Sequence, residues 1–144
     1  MKKLFLILLF FAPVLGKAQA DLLGKTRCDI NIAFQNAKTP RVANATFPGK
    51  GDFDAFNTGK FEQTICRYDD VEICIEVFKI MKTSFLAATL KDFDVNYIKA
   101  DGQLMLKNSW VDKAKTFKVH MENWIGVNRV YLDYLPFDKQ FVKK

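Results

Sequence analysis

The chain has 144 residues, 49% hydrophobic and 26% charged, with 22 Lys and Arg against 16 Asp and Glu and one histidine. A single histidine excludes a histidine-rich zinc site, and the three cysteines lack the paired close spacing of a structural one. The basic excess is no nucleic-acid signature, because Lys2, Lys3 and Lys17 belong to an N-terminal leader and what remains is about +3, ordinary for a soluble domain.

The leader runs from Met1 to Ala20, with Lys2 and Lys3, the apolar run Leu4 to Leu15, and Ala18-Gln19-Ala20 as a small-residue cleavage site. This is the pattern of a secretory signal peptide; an apolar run of about a dozen residues is too short for a spanning helix, which needs roughly 20. The expected mature protein begins at Asp21, is exported to the periplasm or beyond, and forms one domain over 21–144, with no further membrane-length apolar run.

Thr26, followed by Asp29, reads as a helix start with its acid in the first turn. Ile30, Ala33, Phe34 and Ala37 then give one apolar face, Cys28 and Ile32 lie roughly opposite, and Pro40 ends the helix. Val42 to Phe47 suits a short edge strand. The stretch from Phe47 to Phe61, FPGKGDFDAFNTGKF, reads as a loop. Its glycines lack the Lys-Ser/Thr ending of a phosphate loop. Asp52, Asp54 and Asn57 do not make a calcium loop either, since Phe56 stands at the third ligand position. Phe53 and Phe56 either fold back over the edge of the core or stand out as anchors for a protein partner.

The stretch from Phe61 to Ile80, FEQTICRYDDVEICIEVFKI, organises the chain as two strands joined at the turn-prone pair Asp69-Asp70. Val71, Ile73, Ile75 and Val77 alternate with Glu72, Cys74, Glu76 and Phe78, the period of a half-buried strand. Pairing Ile65 with Ile75 keeps the apolar residues on one face and sets Cys66 opposite Cys74. In an oxidising compartment this register implies a Cys66–Cys74 disulfide and leaves Cys28 odd.

Thr83 or Ser84 is expected to cap a second helix bearing Leu86, Leu90 and Phe93. Tyr97 to Lys107 follows, alternating loosely around the turn signal Asp101-Gly102. Phe117, Val119 and Met121 alternate with Lys118, His120 and Glu122; after a turn near Gly126 come Val130, Leu132 and Tyr134, giving a second hairpin. The expected fold is α+β, an antiparallel sheet covered on one face by two helices in the order helix, strands, helix, strands. That order resembles, as architecture only, folds of the β-lactamase-inhibitor-protein type.

Between Gln63 and Leu132, the dyad Asp69-Asp70, Cys74, the run NYIKADG at Asn96 to Gly102, Ser109-Trp110 and Trp124 resemble positions in small exported proteins of gut and marine Bacteroidetes type. The resemblance implies secretion and the order of elements, and it brings no activity with it.

Catalytic machinery is not legible. His120 falls on the polar face of its strand, where a solvated histidine is the expectation. Three acid pairs, Asp52 with Asp54, Asp69 with Asp70 and Asp92 with Asp94, are the best material for a small hydrolase, though turn and helix-end roles account for the last two. Dispersed lysines without interleaved aromatics argue against nucleic acid, and no cofactor or metal is implied. The reading is an exported binding or inhibitory module for another exported protein, contacting it through Phe53, Phe56 and Trp124. Its alternatives are a hydrolase using loop carboxylates and a carrier of an apolar ligand.

Intact mass of the protein recovered from an exporting host checks the first expectations together. The expected mass begins at Asp21 and is two hydrogens short of the fully reduced form; a mass retaining Met1 to Ala20 overturns export, and two alkylatable thiols at Cys66 and Cys74 without reduction overturn the disulfide.

Overall fold

The computed structural model describes residues 19–43, 51–60, 62–100, 108–124 and 129–137. In chain order these form helix α1 (Arg27–Asn36), strands β1 (Phe53–Gly59), β2 (Glu62–Tyr68) and β3 (Cys74–Lys82), a 3-10 turn (Thr83–Phe85) and helix α2 (Leu86–Asn96). Strands β4 (Tyr97–Lys99), β5 (Ser109–Asp112), β6 (Phe117–Trp124) and β7 (Arg129–Pro136) follow. All seven strands pair antiparallel in one sheet, in the order β1-β2-β3-β7-β6-β5-β4, so the protein is α+β. Among the described residues no helix is long and apolar enough to cross a membrane.

Strand pleating assigns side chains to two faces, and residues directly opposite one another share a face. One row, Asp54–Cys66–Val77–Tyr134–Val119–Trp110, crosses six strands with no member more than 1% exposed. The row one step along, Ala55–Ile65–Phe78–Asp133–His120–Ser109, lies on the other face. The first row belongs to the main core. Phe34 of α1 stacks on Phe56 with ring centroids 4.0 Å apart, and Phe93 of α2 packs on Trp110 at 5.2 Å.

Local chemistry accounts for α1 as expected. The Thr26 hydroxyl accepts from the Asp29 N–H at 3.1 Å, Ile30 is buried, and the helix ends before Pro40. Cys28 is exposed. In contrast, α2 has no side-chain cap: Thr83 and Ser84 form the 3-10 turn ahead of it, and the N-cap position falls to Phe85. Leu86, Leu90 and Phe93 do face the core.

Two further expectations are overturned. Residues 53–59 of the supposed loop are strand β1, because burial of Asp54, Ala55 and Phe56 against β2 and α1 outweighs the loop-like composition. The register of the β2–β3 hairpin also differs: Cys66 faces Val77, and Tyr68 faces Cys74. Arg67 pairs with Glu76, so Ile75 is an extra residue on β3, a bulge that shifts the phase of everything before it. The turn itself is as expected, with Asp69 Oδ1 accepting from the N–H groups of Val71 at 3.1 Å and Ile73 at 2.8 Å. Of the predicted strand from Val42, Val42 donates its N–H to Ala55 and Arg41 bridges Phe56; residues 44–47 lie outside the described residues, as do Asp101-Gly102 and Gly126.

The Asp54 side chain, fully buried, ties α1 to β1. Arg27 donates to both its oxygens at 2.8 and 3.0 Å, Asn31 donates at 3.3 Å, and Arg41 pairs with Oδ1. Burial pushes the Asp54 carboxyl up, but these hydrogen bonds and the two guanidinium charges outweigh it and hold the group below its usual value. Its contribution to stability is therefore present above the unfolded value of 3.8 and is lost as pH falls through the lower folded one.

Removing the cation should cost more than removing the acid. Arg27→Met leaves the interior carboxylate only Asn31 and the half-exposed Arg41, and is expected to cost about 3 kcal/mol. Asp54→Asn leaves guanidinium groups that are 25% and 58% exposed and can hydrate, at about 1–3 kcal/mol. Chemical denaturation of both variants checks the order; equal costs would mean that the interior charge is not what the clamp stabilises.

Candidate functional site

Between α2 and the sheet lies a cavity of about 740 Å³. Met81 of β3 and Leu132 and Tyr134 of β7 form its floor, and Phe93 forms part of its helical wall. The wall arises from helical spacing, since α2 turns Thr89, Phe93 and Asn96 toward the cavity within two turns. At the rim Phe85 and Val95 are 44% and 65% exposed, large apolar surfaces left in water.

Polar groups enter the lining at two places. On the β2–β3 side Lys79 Nζ lies 3.3 Å from Glu62 Oε2, with the lysine side chain only 5% exposed. On α2, Asp92 lines the cavity while its Oδ1 accepts from Asn96 at 2.7 Å. Apolar walls with a few polar groups, in a volume of roughly 300–1,000 Å³, are the usual form of a small-molecule site.

The other face of the sheet carries a band of polar side chains. Arg67 pairs with Glu76, Glu76 hydrogen-bonds Asp133, and His120 lies opposite Asp133 and opposite Ser109. Asp133 is pushed up to about 8, first by burial and then by the charge of Glu76 and their shared hydrogen bond, against the opposing pull of Lys118 and Arg67. His120 is not the solvated residue expected: its side chain is 17% exposed, Nδ1 lies 3.1 Å from Ser109 Oγ, and Nε2 lies 3.6 Å from Glu122. Serine, histidine and carboxylate in a line invite comparison with a hydrolase. Yet Ser109 is buried inside a strand paired on both sides, and its carbonyl accepts from Ala100 at 2.9 Å. Ladder pairing directs backbone N–H groups at neighbouring strands, where they cannot serve as an oxyanion hole.

The predicted site residues do not converge. Phe56 is 2% exposed in the core, Phe53 is half-buried, and Trp124 ends β6 opposite Arg129 with its side chain outside the described part. Cys66 and Cys74 are free thiols that hydrogen-bond each other; that bond and burial hold Cys66 protonated. They meet on a diagonal rather than as a directly opposed pair. The acid pairs have separate tasks: Asp54 holds Arg27, Asp69 closes a turn, and Asp94 accepts from Trp110 Nε1 at 3.3 Å. Lys79 was missed, although it shares strand phase with Val77 and Met81, where an apolar residue is due; that mismatch was its signal.

The Asp133 carboxyl gives a pH signature. A folded value of about 8 against 3.8 in the unfolded chain means that the folded state binds the extra proton between them, so stability falls as pH rises through that window. Thermal melts of wild type and Asp133→Asn from about pH 5 to about pH 9 check it. The variant should have the flatter profile and be the more stable protein at the alkaline end; parallel profiles would refute the assignment.

Compared with known proteins, the chain matches no family model, no curated protein and no solved structure.

Proposed function

We propose that this is an exported, non-catalytic binding protein that carries an apolar ligand in the cavity beneath α2. The cavity itself carries the reading: about 740 Å³ of space with apolar floor and wall and an exposed apolar rim at Phe85 and Val95. Export follows from the Lys-rich start, the apolar run and the Ala-Gln-Ala site of the leader. In the compartment it implies, oxidation joins the adjacent thiols of Cys66 and Cys74. We further infer that both helices shelter one face of the sheet, a reading supported by Phe34 on Phe56 and Phe93 on Trp110.

Docking another exported protein through Phe53, Phe56 and Trp124 is the weaker reading, because the Phe56 ring is engaged with Phe34 in the interior. A hydrolase built on loop carboxylates is weaker still, since Asp54 is engaged by Arg27, Asn31 and Arg41.

Titration with N-phenylnaphthylamine, a neutral apolar fluorophore, tests the carrier function. Saturable binding with one site is expected in the wild type. Ala88→Trp, which sets an indole at the cavity lining, should weaken binding about tenfold, or about 1.4 kcal/mol, while leaving the melting temperature nearly unchanged. Absence of saturable binding, or equal binding by the variant, overturns the carrier reading.

A further inference from the structure

We infer that the ligand of the cavity is a long-chain carboxylate, its chain beneath α2 and its head group on Lys79; this rests on the carrier reading. Lys79 stands on β3 between Thr64 of β2 and Leu132 of β7, among residues that are otherwise apolar or fully buried. A lysine is rarely placed there without a task, because taking an ammonium out of water is unfavourable unless it is paired and hydrogen-bonded. Its ion-pair partner among the described residues is Glu62, 23% exposed and 3.3 Å away.

Donor arithmetic then favours one class of head group. An ammonium has three N–H donors and no acceptor, and its contact with Glu62 runs to Oε2. The second acid of the lining, Asp92, is already engaged by Asn96. A purely apolar ligand would leave ammonium donors facing hydrocarbon, and a cationic head group would meet Lys79 with like charge. A carboxylate accepts the remaining donors and adds the opposite charge. Phosphate or sulfate is a poorer match: among the described lining residues there is no guanidinium fork. The apolar rim at Phe85 and Val95 suits the passage of the chain.

Competition against bound N-phenylnaphthylamine separates the head-group inference from the carrier reading, with hexadecanoate, hexadecanol and hexadecylamine as probes of equal chain length. Wild type should bind hexadecanoate about tenfold or more tighter than hexadecanol, the scale of one charge-assisted hydrogen bond, and hexadecylamine weakest. Lys79→Met should erase the preference for the carboxylate while retaining hexadecanol. Glu62→Gln, which removes the competing carboxylate and keeps Lys79, should tighten hexadecanoate binding and leaves the inference testable should Lys79→Met fail to fold. Equal binding of acid and alcohol, or no gain in Glu62→Gln, overturns the head-group inference with the carrier intact. Failure of all three probes to compete overturns both.

Discussion

One extra residue in a central strand decides which face of this sheet Cys74 joins. β3 lies between β2 and β7, and the bulge at Ile75 changes its phase between Cys74 and Glu76. A regular strand read back from Val77 would put Ile75 in the core and Cys74 on the face of Glu76. With the bulge, Cys74 stays 1% exposed beside Cys66, while Glu76 keeps the place among Arg67 and Asp133 that a regular strand would also give it. The thiol pair depends on that single insertion, whereas the polar band, which lies on the regular side of it, does not.

Anchoring of α1 follows a different logic. Its interior contact is partly apolar, through Ile30 and the Phe34–Phe56 stack, and partly ionic, through the buried Asp54. An ionic contact buried this deeply adds little net stability over an apolar one, but it is directional, fixing Arg27 over Tyr68 at 5.1 Å and Asn31 against β1. The same carboxylate draws in Arg41, whose segment then covers the edge of β1 with the Val42–Ala55 and Pro40–Asn57 backbone bonds at 2.8 and 2.9 Å. An edge strand that would otherwise present open backbone groups is thereby partly closed.

Much of the fold was legible where one physical rule acted alone. The cap at Thr26, the Asp69 turn and the β6–β7 hairpin are local, and short-range pattern suffices for each. β1 was not legible, because its buried face includes an aspartate whose partners, Arg27, Asn31 and Arg41, come from elsewhere in the chain. The bulge was hidden for a related reason: the unbroken alternation of Val71, Ile73, Ile75 and Val77 fits a regular strand, and the choice of register was settled by packing across β2 and β7 together. Of the candidate site, only Lys79 left a trace in the sequence, as a charge in an apolar phase. The cavity is a gap between residues far apart in the chain, from Met81 to Leu132, and no local pattern encodes a gap.

The wall of that cavity is also the helix least secured at its start. α1 has a hydroxyl cap and an ionic clamp, whereas α2 begins on a 3-10 turn with no side-chain cap, and Thr89 turns its hydroxyl back to the Phe85 carbonyl at 2.9 Å. Side-chain hydrogen bonds of that kind, running back along the helix, slightly weaken and bend it. What holds α2 is its later face: Phe93 against Trp110 and Tyr97, and Asp94 on the indole N–H. The helix is thus anchored to β5 through its later face, while at the end carrying Phe85 it meets β3 through Thr89 and the Met81 sulfur, 3.6 Å apart. The cavity beneath α2 is open to solvent along the rim formed by Phe85 and Val95, so a ligand reaches the apolar floor without any rearrangement of the aromatic cluster.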